Sequence, residues 1–124
     1  MNRKYSYLGV LLISFLLSSC NTHTERPPDA DRLIRRGQNL YVRNCSACHQ
    51  PDGMGWSTLF PRLASNPIVT LHDAEPLIDT VTYGQGSMPG FRETLTSHEI
   101  AAILSYIRNA WGNHAPAVSH RQIH

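Results

Sequence analysis

The sequence predicts an all-α domain with long loops, and three observations carry that reading. Apolar residues recur at helical spacing around 33–41 and again at 100–111, a capping-box pair at Thr96 and Glu99 opens the second segment, and no alternating run is long enough to argue for a sheet. A length of 124 residues, 41% of them hydrophobic, suits one globular domain.

The first twenty residues stand apart. Arg3 and Lys4 precede the apolar run LGVLLISFLL (8–17), and Ser18, Ser19 and Cys20 follow, the layout of an export signal over residues 1–19. The run is too short for an ordinary transmembrane helix, which needs roughly 20 apolar residues. Leu17-Ser18-Ser19-Cys20 also resembles the lipobox of bacterial lipoproteins, which implies cleavage before Cys20 and its lipidation. An ordinary signal peptide with an incidental Cys20 is the alternative, but an exported chain with three cysteines otherwise leaves one thiol without a role. The expected location is the periplasmic side of the cell envelope, with a lipid anchor in a membrane. Asn21, where the inner-membrane retention signal has Asp, favours the outer membrane of a Gram-negative host.

Residues 20–29 are polar, carry Pro27 and Pro28, and read as a tether. Leu33, Ile34, Gly37, Leu40 and Tyr41 then predict a helix over 30–44, with Asp29 as its N-cap. Asp73 is placed to cap a shorter helix through AEPLIDTVT (74–82), with Pro76 in its first turn and Gly84 at its end. In the last helix Leu95 and Ile100 occupy the positions of a hydrophobic staple around the Thr96 cap. Ile100, Ile103, Leu104, Ile107 and Trp111 form one apolar stripe, Ser105, Arg108 and Asn109 lie opposite, and Gly112 is the stop. The domain thus spans 30–113, and HAPAVSHRQIH (114–124) reads as a disordered polar end. Three modest helices bury little apolar surface, so something other than side chains should fill the middle.

Charge removes one class of partner. Arg3 and Lys4 are two of the 11 basic residues, so the chain from Cys20 onward balances nine arginines against nine acids. A basic footprint for nucleic acid is absent.

The chemistry concentrates in NCSACHQPDGMG (44–55). One helical turn separates Cys45 from Cys48, so both thiols share a face, and His49 is the next step around it. Cys-x-x-Cys-His is the pattern of c-type haem attachment, with two thioether bonds to vinyl groups and the imidazole under the iron. A structural zinc site wants four ligands in paired clusters, and a thioredoxin-like pair wants a strand-helix-strand context. The sequence offers neither. The sixth iron position needs a ligand as well. Met1 leaves with the leader and Met54 lies too close to His49 to reach the other face, which leaves Met88, 39 residues downstream in YGQGSMPGF. Gly84, Gly86 and Gly90 permit close backbone approach there and Pro89 stiffens the turn.

From Arg36 to Asn113 the chain resembles a class I cytochrome c. Gly37 and Tyr41 stand where that family crosses its terminal helices, and Ile103 and Tyr106 match their partners on the last helix. The resemblance implies the class I fold around one covalently attached haem c, and it assigns Pro61 as the residue whose carbonyl holds the other nitrogen of His49. NCSACHQPDGMG, FPRLASNP and YGQGSMPGF with EIAAILSYIRNAWGN are most similar to the cytochrome subunits and domains of membrane quinoprotein alcohol dehydrogenases and related respiratory chains. Arg62 departs from that group, which often has a second proline there; a propionate partner and a solvated arginine are both open.

With His49 and Met88 on the iron no open site remains for oxygen or peroxide, and thioether sulfur favours the reduced form. The expected function is a single-haem electron carrier between redox protein partners, a dehydrogenase or a terminal oxidase, with no small-molecule substrate. The competing reading is a haem enzyme or a gas or redox sensor with a labile sixth ligand, for which His72 or His98 would be the distal acid or base.

Overall fold

The computed structural model describes residues 28–56 and 58–124, so the export signal, Cys20 and nearly all of the tether lie outside the described residues. Helix α1 runs Pro28–Asn44, and a one-turn helix α2, Ser46–His49, follows it. A long loop leads to the short α3, Pro67–Thr70, and then to α4, Glu75–Tyr83. The two-residue strands β1, Gly84–Gln85, and β2, Met88–Pro89, pair antiparallel with Gln85 opposite Met88. Helix α5 spans Ser97–Ile107. The all-α reading holds apart from that small ladder. Among the described residues no helix is long and apolar enough to cross a membrane.

Helices α1 and α5 form the principal contact of the fold, and Gly37 permits it. A Cβ at Gly37 would stand 1.9 Å from the Ala102 carbonyl oxygen and 2.8 Å from Tyr106 Cβ, so the two backbones cross with no room for a side chain. One turn on, Tyr41 is buried against Tyr106 and Trp111, with ring centroids 5.4 and 5.1 Å away in tilted and edge-on arrangements.

The capping box of α5 forms as its sequence signature predicts. The Glu99 N–H donates to Thr96 Oγ1 at 3.3 Å, the Thr96 N–H donates to Glu99 Oε2 at 2.9 Å, and Leu95 and Ile100 both pack into the core. The hydrogen bonds from Thr96, reinforced by Arg36, hold the Glu99 carboxyl below its ordinary value of 4.5. A depressed carboxyl contributes stability above its unfolded value and loses it as pH falls through the folded one. Acid unfolding below about pH 4.5 should therefore be blunted in Glu99→Gln, a variant less stable at neutral pH; equal acid sensitivity in both proteins would contradict this.

Several boundaries differ from expectation. Asp29 does not cap α1: it lies in the first turn, 3.7 Å from Arg32, because the helix already begins at Pro28. Asp73 precedes the α4 cap residue Ala74, yet its carboxylate still accepts from the Glu75 N–H at 3.0 Å. Helix α5 stops at Ile107, with Arg108 as its C-cap, instead of running to Gly112; beyond the cap the chain turns, and Trp111 has φ 51°.

The largest correction concerns residues 114–124, expected as a disordered end. They pack along α5, with Val118 2% exposed and its N–H donating to Ser105 Oγ at 2.9 Å. His120 stacks on His98 at 3.9 Å, and the Tyr83 hydroxyl donates to the His124 carbonyl. This segment covers the face opposite the apolar stripe, so Ser105 and Arg108 are buried, not solvated.

Candidate functional site

The end of α1 feeds directly into the cysteine motif. The Cys45 N–H donates to the Tyr41 carbonyl at 2.8 Å, and the N–H groups of Cys48 and His49 return to the Cys45 carbonyl at 3.2 and 2.9 Å. This turn leaves Cys45 half-buried, Cys48 exposed and His49 only 7% exposed. No disulfide joins Cys45 to Cys48, so both sulfurs are available for thioether bonds. Gln50, at φ 63°, ends the turn, and its carbonyl accepts from the Tyr41 hydroxyl at 2.6 Å.

The loop after the motif folds back onto it. The Gly55 N–H donates to the His49 carbonyl at 2.9 Å, Trp56 and Phe60 form a bridge, and the N–H groups of Leu63 and Ala64 reach the Gly53 carbonyl at 2.8 and 3.0 Å. These contacts bring the Pro61 carbonyl 2.9 Å from His49 Nδ1. A carbonyl oxygen can only accept, so Nδ1 carries the proton and the lone pair of Nε2 is left for a metal.

The β1–β2 hairpin supplies another wall. Gly84 adopts φ 84°, and a Cβ there would lie 2.6 Å from the Met88 carbonyl oxygen, so the close approach of β1 to the strand that carries Met88 depends on glycine. His49 and Met88 line the same crevice, which has two adjoining lobes of about 140 and 160 Å3. Pro61, Thr80 and Gln85 also border both lobes. Cys48, Leu59 and Phe60 edge the smaller lobe; Cys45, Leu63, Val69, Leu77, Val81, Phe91, Ile103 and Ile107 form the larger. No Asp, Glu, Lys or Arg lines either lobe.

Other candidates lie elsewhere. Met54 is 48% exposed and borders neither lobe. Arg62 faces a shallow depression beside Ala64 and Ser65, with its Nε donating to the Ala64 carbonyl at 2.7 Å. His72 is exposed, and His98 stacks on His120 away from the crevice. Sequence reasoning missed Thr80, Gln85 and Phe91 as wall residues, since isolated side chains on a short helix and a hairpin leave no periodic signal. It also missed Asn113, whose side chain ties together Leu63, Ser65 and Ile107.

The residues present suit a haem. An uncharged, largely apolar crevice accepts a flat macrocycle, two free thiols at its margin can form thioethers, and a buried imidazole has its proton directed away from the metal-binding nitrogen. Among the described residues no three His, Cys, Asp or Glu side chains group to hold a metal ion.

Terminal helices crossed at a glycine, enclosing such a crevice above a Cys-x-x-Cys-His turn, define a class I c-type cytochrome domain. Residues 32–107 match the family described as cytochrome c oxidase, cbb3-type, subunit III, and the chain belongs to that family. The alcohol dehydrogenase (quinone) cytochrome c subunit of Gluconobacter oxydans is 36% identical over 91 residues, covering 64% of this chain and 19% of that protein. The chain thus spans about a fifth of that relative's length. Cytochrome c-552 of Thermus thermophilus is 34% identical over 92 residues, 62% of this chain and 69% of that protein. The solved structure of cytochrome cL from Methylophaga aminisulfidivorans aligns with a TM-score of 0.55 at 27% identity, over 64% of this chain and 53% of that one. The prosthetic group of this domain is covalently bound haem c.

Proposed function

We propose that the chain is a single-haem electron carrier in which Cys45 and Cys48 anchor the haem and His49 and Met88 are its axial ligands. The observation that carries this reading is that His49 and Met88, 39 residues apart, line both lobes of one crevice. Haem c supplies an iron that exchanges one electron without making or breaking a ligand bond.

The protein's own groups do the rest. The Pro61 carbonyl orients His49 and raises its basicity as a ligand. The hairpin holds Met88, and the apolar wall from Val69 to Ile107 keeps the site dry and the potential high. Cys48 and Leu59 mark the exposed margin through which donor and acceptor proteins dock. Relatives named as dehydrogenase and oxidase cytochrome subunits support redox-protein partners of that kind, and Leu17-Ser18-Ser19-Cys20 supports a lipid anchor on Cys20 that holds the carrier at an envelope membrane.

Carbon monoxide and peroxide separate this reading from an enzyme or a sensor. The ferrous protein should leave carbon monoxide unbound and the ferric protein should turn over no peroxide; rapid reaction with either would sink the carrier reading. The intact mass of the mature protein checks the anchor: polypeptide from Cys20 plus one haem plus acyl chains is expected, and a mass without acyl chains would remove it.

A further inference from the structure

Arg108 is the C-cap of α5 and is 0% exposed, although helical spacing alone places it on a solvated face. Backbone carbonyls from three positions hold its guanidinium: Nε donates to Pro116 at 2.9 Å, Nη1 to Val69 at 3.0 Å and Nη2 to Leu71 at 2.8 Å. Carbonyls satisfy the donors but leave the charge. No carboxylate among the described residues forms an ion pair with it; Asp73, further off, is the acid that acts on it. Burial pulls the guanidinium below its ordinary value and Asp73 opposes this, yet an arginine in a protein stays protonated.

The charge stands one layer behind the crevice. Val69, whose carbonyl takes Nη1, lines the larger lobe, and so does Ile107, the residue next to Arg108. We propose that Arg108 is a potential-setting residue, a buried cation behind the crevice wall that favours the reduced state of the redox centre. This rests on the electron-carrier reading above. One electron from the donor protein lowers the positive charge in the crevice by one, with no proton or ligand transferred, so repulsion with the fixed guanidinium is relieved on reduction. In an interior of low dielectric that repulsion is weakly screened.

The test is a spectroelectrochemical titration of purified holoprotein, native, Arg108→Met and Arg108→Lys, from pH 5 to 9. Arg108→Met removes the charge and retains much of the volume. At fixed applied potential its ferrous-to-ferric ratio should fall roughly threefold to tenfold, which is about 30 to 59 mV at 59 mV per tenfold for a one-electron couple. Arg108→Lys loses most of the carbonyl contacts but keeps a charge that can titrate, because burial lowers a lysine's pKa. Its ratio should match the native one at low pH and fall toward the Arg108→Met value as pH rises, whatever stability it has lost.

A native ratio in Arg108→Met overturns the proposal, and so does an equal fall in both variants at every pH, which would mark a packing effect. Should Arg108→Met fail to fold, Arg108→Gln, likewise uncharged at every pH, takes its place, and a native ratio in it overturns the proposal. If the native protein shows no reversible one-electron curve, the carrier reading fails instead, and the same titration tells the two failures apart.

Discussion

Met88→Ala is expected to lower the reduction potential by on the order of 0.1 V or more, within the roughly 0.8 V that axial ligands span, and to open the ferrous iron to carbon monoxide. Met88 sits in β2, paired with Gln85 and half-buried against the core, where the hairpin that turns at Gly86 and Ser87 presents it to the crevice. Thioether sulfur stabilises the reduced state more than water or hydroxide, so its removal shifts the couple toward the ferric form. The backbone ladder does not depend on the side chain, and Thr80 and Gln85 still border the crevice, so the fold should survive. Redox titration and a carbon monoxide difference spectrum check both effects; an unchanged potential with no carbon monoxide binding would place the sixth ligand elsewhere.

The second large effect is on stability. Gly37→Val should destabilise the holoprotein by about 3 kcal/mol or more, at or beyond the upper end for overpacking a core, because its Cβ meets a main-chain carbonyl that no rotamer change can move. The spot for that Cβ is 1.9 Å from the Ala102 oxygen and 2.6 Å from its carbonyl carbon. Relief requires α1 and α5 to separate, which also loosens Tyr41 from Tyr106 and Trp111. Denaturant unfolding with a lowered midpoint checks this. A midpoint within experimental error of the native value would mean that the helices do not cross at Gly37.

These two positions also show what was legible in the sequence. Thr96 and Glu99 could be read directly, because a capping box is a local pattern whose hydrogen bonds form within one turn. The helices α1 and α5 were legible through their apolar spacing, and the cysteine motif through its fixed interval. Arg108 was misread for the reason that makes it informative: periodicity assigns a polar residue to solvent and cannot see that residues 114–124 return to cover that face. The same return explains the packed tail. Val118 and Ser105 meet across 13 positions of sequence, a pairing that helical periodicity does not encode because the chain turns back between them. Trp111 extended the expected stripe correctly in contact but wrongly in conformation. It reaches Tyr41 and Tyr106 from a turned segment, and its Nε1 donates to the Pro51 carbonyl at 3.2 Å.

Within the site, the residues with reactive atoms stood out in the sequence, whereas the walls did not. Thr80, Val81 and Phe91 become crevice residues only once α4 and the hairpin are folded beside α5. The loop from Gln50 to Ala64 has no periodicity, and its shape follows from backbone hydrogen bonds to Gly53 and His49.

The central claim, an iron held between His49 and Met88 in a chain that carries single electrons, is tested most directly by the far-red absorption of the purified ferric protein. The account predicts a weak sulfur-to-iron charge-transfer band in the native protein, absent from Met88→Ala. A high-spin ferric spectrum without that band in the native protein would contradict it.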